Sequence, residues 1–259
     1  MKNITARSLA VAIVAAAAVM VAWVGYVRLS RRAQPHIDVD RERYPVTGID
    51  ISAHNGFVDF DSLAAARIDF VFVKASEGTA FRDAAFLRNY AGARRAGLSV
   101  GVYHFFRFDC DGRRQAVNLI GALDGVLPDL PVAIDVEEFG NPAQVPTSTV
   151  VARLEAMVAE LRAAGYKVLI YTNKNGYWRF VHKHFDNVLR NDPEVWICSF
   201  SDPPLPKRDW RLWQHSHKAR VPGVKGDVDM NTFNGSREQW RLWLDSVRPD
   251  TIIGLVPRY

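Results

Sequence analysis

The sequence predicts an α/β protein: a single β/α barrel of eight strands with incomplete helices in its last third, preceded by an N-terminal transmembrane helix. Three observations predict the barrel. From residue 46 onward, short apolar runs alternate with amphipathic stretches, the pattern of parallel strands and covering helices. The alternating region is roughly 200 residues long, which suits one closed barrel. Beyond residue 200 the connections become short and rich in Pro and Gly, leaving little room for helices.

The chain opens with a short basic segment, 1–8, that holds Lys2 and Arg7. The next 19 residues, 9–27, carry no charge, about the length of a bilayer-spanning helix. The run ends Ala22-Trp23-Val24-Gly25-Tyr26-Val27, without a small-residue cleavage pattern before Arg28. Trp23 and Tyr26 suit the membrane interface. The expectation is an uncleaved single-pass anchor in the cytoplasmic membrane, with a cleaved leader as the alternative. Residues 28–45 read as a polar linker, 46–245 as the barrel domain and 246–259 as a C-terminal tail.

Strands are expected over 48–52, 70–76, 99–106, 131–137, 167–173, 194–200, 211–215 and 228–233. The clearest helix is 148–164. Val150, Val151, Leu154, Met157, Val158 and Leu161 fall on one of its faces, and Gly165 stops it. Residues 82–96, before Gly97, and 111–123 repeat that logic.

Composition narrows the function. A content of 48% hydrophobic and 24% charged residues is ordinary for a globular domain, so neither a metal nor a disulfide scaffold is required. The net charge of +5 invites a nucleic-acid reading. Residues 1–43, however, hold seven basic and three acidic side chains, so 5 − (7 − 3) = +1 remains for the rest. That charge flanks the apolar segment as membrane-proximal charge does, and no nucleic-acid partner is expected. Cys110 and Cys198 read as two free, buried thiols. His215 and His217 sit at strand spacing with no carboxylate or thiol to complete a ligand set, so no metal is assigned. The Gly-x-Gly patterns do not fit a dinucleotide fingerprint, and no cofactor is implied.

Polar residues fall where the strands end, the face on which such barrels build their sites. They are Asp50, then Lys74, Ser76 and Glu77, then Tyr103 and His104. Asp135 and Glu137, Tyr171 and Asn173, Trp213 and Gln214, and Asp229 and Asn231 complete the rim. Asp135-Val136-Glu137 carries the most chemistry. Alternate strand residues share a face, so the two acids point one way, roughly 6.6 Å apart along the backbone, and Val136 points the other. Acids held that close drive their pKa values apart, as glycoside hydrolysis requires of its acid. Asp-x-Glu alone is common, and a solvated strand end is its ordinary explanation.

Several segments together carry a more specific signal. They are Gly48-Ile49-Asp50-Ile51-Ser52 with Asn55-Gly56, and Phe72-Val73-Lys74-Ala75-Ser76-Glu77-Gly78 with Phe81 and Asp83. Gly101-Val102-Tyr103-His104-Phe105, Ile134-Asp135-Val136-Glu137 and Ile170-Tyr171-Thr172-Asn173 follow. Leu212-Trp213-Gln214 and Val228-Asp229-Met230-Asn231 close the series. In this order they resemble the family-25 glycoside hydrolases, the Chalaropsis-type lysozymes or N-acetylmuramidases, over roughly residues 46–235. Cys198-Ser199-Phe200 and the cysteine in the 107–111 loop depart from the family pattern.

The resemblance implies a flattened, TIM-like eight-stranded barrel. It also implies cleavage of the β-1,4 bond between N-acetylmuramic acid and N-acetylglucosamine in peptidoglycan glycan strands. Glu137 would be the general acid. Asp135 would stay ionised and orient the substrate's acetamido group; direct retaining and inverting routes remain open. Asp50 and Asp229 would shape the site's charge, and Tyr103, Tyr171, Trp213, Gln214, Lys74, Glu77 and Asn231 would contact substrate. Each of several residues also has a structural explanation. These explanations are a Lys74–Glu77 pair, a satisfied core histidine at 104, and barrel core for Trp213 and Tyr171. A membrane-tethered binder without turnover and a hydrolase of another amino-sugar polymer are the rival functions. The chain is expected to be monomeric, with its catalytic domain facing the periplasm or cell exterior.

Overall fold

The computed structural model describes residues 20, 39–182, 184, 194–200, 204 and 210–248. The expected anchor over 9–27, apart from Met20, lies outside the described residues, as do most of the linker and 249–259. Among the described residues no helix is long and apolar enough to cross a membrane.

The barrel strands are β1 (Thr47–Ile51), β2 (Phe70–Glu77), β4 (Ser99–Phe105), β5 (Val132–Asp135), β6 (Val168–Asn173), β7 (Glu194–Cys198), β8 (Trp210–Ala219) and β9 (Val228–Phe233). A two-residue strand, β3 (Phe81–Arg82), folds back on β2 as a hairpin outside the ring. Neighbours from β1 through β8 pair in parallel. The ring closes through β9, which is antiparallel to both β8 and β1. The alternation rule had implied parallel strands throughout. The last strand reverses because the connection before it, 220–227, is too short for the crossover a parallel strand needs.

Four helices connect the first strands: α1 (Phe60–Ala65), α2 (Phe86–Arg95), α3 (Gly112–Leu123) and α4 (Thr147–Ala163). Asp111 caps α3 by accepting from the Arg114 N–H at 2.9 Å. The predicted face of α4 is the buried one: Val150, Val151, Leu154, Met157, Val158 and Leu161 all pack inward.

Strand parity divides the apolar residues into two cores. Outward-facing residues such as Val71, Val73, Val100, Val102, Ile134 and Ile170 pack under the helices. Inward-facing residues such as Phe70, Phe72, Ala133, Leu169, Trp196 and Leu212 fill the barrel. Close approach inside the barrel needs glycine at 101, where a Cβ would lie 2.4 Å from the Phe72 ring. A final helix, α5 (Arg237–Val247), brings Trp240, Trp243 and Val247 into the same inner cluster. That helix was not anticipated. Its start is a capping box between Ser236 and Gln239.

The inward positions change character along each strand. They run Phe70, Phe72, Lys74 on β2; Gly101, Tyr103, Phe105 on β4; and Leu169, Tyr171, Asn173 on β6. The apolar end is sealed and the polar end forms the rim. Because β9 runs backwards, it reaches that rim at its start, with Asp229, and enters the core at its end, with Phe233.

Candidate active site

A cavity of about 350 Å³ opens at the C-terminal ends of the parallel strands. Besides Glu77, which is paired with Lys74, four acids line it: Asp50 from β1, Asp135 at the end of β5, Glu137 just past it, and Asp229 from the start of β9. Strand β5 stops at Asp135, short of the expected Glu137, but the extended path continues. The Val136 N–H donates to the Tyr171 carbonyl at 2.8 Å. Parity is preserved, so Val136 is buried in the outer core while its two neighbours line the cavity.

Adjacent segments fix the two acids. The Phe106 N–H donates to the Asp135 carbonyl at 2.9 Å, and the Thr172 hydroxyl donates to the Val136 carbonyl at 2.6 Å. The Asn141 amide donates at 2.9 Å to the carbonyls of both Glu137 and Phe106, and its Oδ1 accepts from the Phe108 N–H at 2.8 Å. Asn141 thus ties the backbone of Glu137 to the loop after β4.

Asp50 sits directly across from Asp229 in the β1–β9 register. Its Oδ2 accepts from Asn231 Nδ2 at 2.7 Å and from Gln214 Nε2 at 3.0 Å. Gln214 Oε1 in turn accepts from the Tyr171 hydroxyl at 2.8 Å, and Asn231 Oδ1 accepts from Trp196 Nε1 at 2.8 Å.

Gathering four acids in a half-dry cleft penalises their charges. Burial, reinforced by the Asp50 and Glu138 charges, pushes Glu137 from 4.5 up to about 7. Burial pushes Asp229 to about 9, with Asp50 adding to the rise. Asp135 also goes well above the carboxylate range. Burial is the main cause, the Glu137 and Asp50 charges add to it, and Lys74 opposes it. Asp135 Oδ1 is buried without a hydrogen-bond partner. Burial and the neighbouring acids thus work against the ionised Asp135 that the resemblance implies, and Lys74 works for it. The raised Glu137 is as expected: burial is its main cause, the Asp50 and Glu138 charges add to it, and Glu137 and Asp135 repel each other.

The other candidates divide. Tyr103, Tyr171, Gln214, Lys74 and Glu77 line the cavity. Lys74 is bonded to Glu77 at 2.8 Å and lies over the rings of Phe81 and Phe105, so its charge is already partnered. Trp213 is placed elsewhere. It is one residue from the inward-facing Gln214, so it faces outward, packs against Tyr44 and Trp210, and donates Nε1–H to the Ser199 carbonyl at 2.8 Å. Asn231 is fully buried behind Asp50 and does not line the cavity. His104 is a satisfied core histidine. Gln115 Oε1 can only accept, so His104 Nε2 carries the proton and donates to it at 3.2 Å, and Nδ1 accepts from the Ser76 hydroxyl at 2.8 Å. Burial lowers that ring to about 4, keeping it neutral. Cys110 and Cys198 are free and half-buried rather than buried; burial lifts the Cys198 thiol to about 12.

The cavity also has walls that sequence reasoning missed: Ser52, His54, Phe105, Arg107, Phe139 and Trp196. Phe139 is 86% exposed two residues after Glu137. Arg107 donates to the Gly140 carbonyl at 2.7 Å, bracing that turn. For Trp196, the signal was its parity with Cys198 on β7.

A β/α barrel with acids from its first, middle and last strands converging on one open cleft defines a barrel glycosidase. The sequence profile of the glycosyl hydrolases family 25 matches residues 49–224, and the chain belongs to that family. Lysozyme M1 of Streptomyces globisporus is 32% identical to it over 203 residues, 74% of this chain and 68% of that protein. The uncharacterized protein YegX of Escherichia coli (strain K12) is 30% identical over 212 residues, 79% of this chain and 75% of the relative. Among solved structures, a family 25 glycosyl hydrolase from Bacillus anthracis superposes with a TM-score of 0.70 at 28% identity, covering 80% of this chain and 96% of that one.

Proposed function

We propose that the protein is a muramidase that cleaves the β-1,4 bond following N-acetylmuramic acid in peptidoglycan. One observation carries the reading. Glu137 and Asp135 share one cavity; the first holds a proton near neutral pH, and the second has a buried oxygen with no donor. The likeness to Lysozyme M1 supports the same substrate class.

In this mechanism Glu137 gives its proton to the glycosidic oxygen as the bond to the anomeric carbon breaks. The substrate's own acetamido oxygen attacks that carbon, and its N–H donates to Asp135 Oδ1. This contact stabilises the carboxylate just when positive charge develops beside it. Water then opens the cyclic intermediate, returning a proton to Glu137. Asp50, whose anion two amides favour, adds to the burial that keeps Glu137 protonated until the substrate arrives.

The test uses the full-length chain and its Glu137→Gln variant on purified peptidoglycan, with new reducing ends identified by mass spectrometry. Muramic-acid reducing ends from the wild type alone support the reading. Binding without cleavage by either protein would replace it with a tethered binder. Glucosamine reducing ends would point to a different bond.

The uncharged run over 9–27 supports an anchored enzyme whose barrel lies outside the cytoplasmic membrane, where its substrate is. A reporter fused after residue 259 should be active on the outer side; activity confined to the cytoplasm would refute this.

A further inference from the structure

The hydrogen bonds around Asp50 have a direction. An indole N–H can only donate, so Trp196 obliges Asn231 to present Oδ1 to it and Nδ2 to Asp50. Tyr171 donates its hydroxyl hydrogen to Gln214 Oε1, which turns Gln214 Nε2 toward the same Asp50 oxygen. Burial raises Asp50, but its Oδ2 receives two amide hydrogens, which oppose that rise and favour the negative charge on this oxygen.

Asp229 lies opposite Asp50 across the β1–β9 pairing, and both line the same cavity. Two buried carboxyls so placed relieve their repulsion when one of them holds a proton. With two amides donating to Asp50, the structure favours that proton on Asp229. The titratable groups facing the pair are Tyr103 from β4, Asp135 and Glu137 from the end of β5, Tyr171 from β6 and Cys198 from β7. All are acids. The cation nearby, Lys74, acts on Asp135 and is bonded to Glu77. A shared proton is thus how the fold relieves the pair.

We propose that Trp196 and Tyr171 are positioning residues that act through Asn231 and Gln214 to fix Asp50 as the anion, and Asp229 as the proton-bearing partner, of a paired carboxyl in the cleft. The pair sets the charge felt by Glu137. If the donor chain is cut, the Asn231 or Gln214 amide is free to turn its oxygen toward Asp50. The shared proton then moves onto Asp50 and the negative charge onto Asp229, away from the Asp50 anion that raises Glu137. The effect on Glu137 rests on the muramidase reading; the location of the proton does not.

The experiment is a carbon-13 NMR titration of the full-length chain labelled at the aspartate carboxyl carbons, with Asp50→Asn and Asp229→Asn assigning the two resonances. At neutral pH the wild type should show Asp229 protonated and Asp50 ionised. In Trp196→Phe, the Asp50 resonance should move toward its protonated position and Asp229 toward its ionised one. Tyr171→Phe, which removes a single hydroxyl, should act in the same direction and keeps the test intact if the tryptophan variant does not fold. The alkaline limb of kcat/KM on peptidoglycan should fall to lower pH by up to about 1 unit. Both carboxyls ionised at neutral pH, the proton on Asp50 in the wild type, or resonances unmoved by both variants would each overturn the proposal. A wild type without turnover would remove the muramidase reading and leave the proton's location to be decided by the titration.

Discussion

Glu137→Gln should make the protein more stable at alkaline pH while abolishing turnover. Burial and the Asp50 charge raise Glu137 from 4.5 to about 7 in the folded state. Because the folded value lies above the unfolded one, the fold favours the protonated form. That contribution is fully present below about pH 4.5 and is lost as pH rises through about 7. A difference of 2.5 pH units, at about 1.4 kcal/mol each, amounts to about 3 kcal/mol of stability forgone above neutrality. Glutamine does not titrate and does not incur that cost. At pH 8, Glu137→Gln should therefore melt roughly 6 to 12 °C above the wild type, and at pH 4 the two should nearly coincide. Thermal unfolding followed by circular dichroism at both pH values measures the gap. Equal melting temperatures at pH 8, or the same gap at pH 4, would refute the claim that the fold holds this carboxyl protonated.

Other substitutions separate the site from its scaffold. Asn141→Ala removes three bonds around Glu137 and should lower kcat about 10- to 100-fold, with a smaller change in KM, in steady-state assays on peptidoglycan. Trp213→Phe should cost about 1 to 3 kcal/mol in denaturant unfolding and leave kcat per folded molecule unchanged, because Trp213 is outer core; a raised KM would return it to the cleft. Phe139→Ala should leave the melting temperature unchanged and raise KM, because the ring is exposed at the cavity mouth. Gly101→Ala should destabilise by about 1 to 3 kcal/mol or more, because its Cβ would collide with the Phe72 ring 2.4 Å away.

The strand positions and the two central acids were legible because apolar runs and period-two alternation are local signals. Strand β9 matched its expected limits, and Asp135, Val136 and Glu137 took the faces that parity dictates. The same rule, applied strictly, excludes Trp213. It cannot share a face with Gln214, so only one of the two reaches the cleft. The direction of β9 was less visible, since chain direction depends on the length of a connection rather than on the strand itself. Asn231 reads as a polar rim residue in sequence, and only the fold shows it standing behind Asp50. Asn141 and Arg107 act through backbone carbonyls, which leave no pattern of side-chain types. Helix α5 was missed although its capping box, Ser236 to Gln239, precedes Trp240, Trp243 and Val247 at helical spacing.

The reversed closing strand also bears on when the protein becomes competent. Asp50 is made early and Asp229 late, and Asn231, which grips Asp50, is 181 residues away in sequence. No shorter nascent chain can assemble the four-acid cleft, because its last wall has yet to leave the ribosome. Such long-range closure is slow to form. A muramidase gains from this an interval in which the growing polypeptide cannot cut peptidoglycan, imposed by strand order alone.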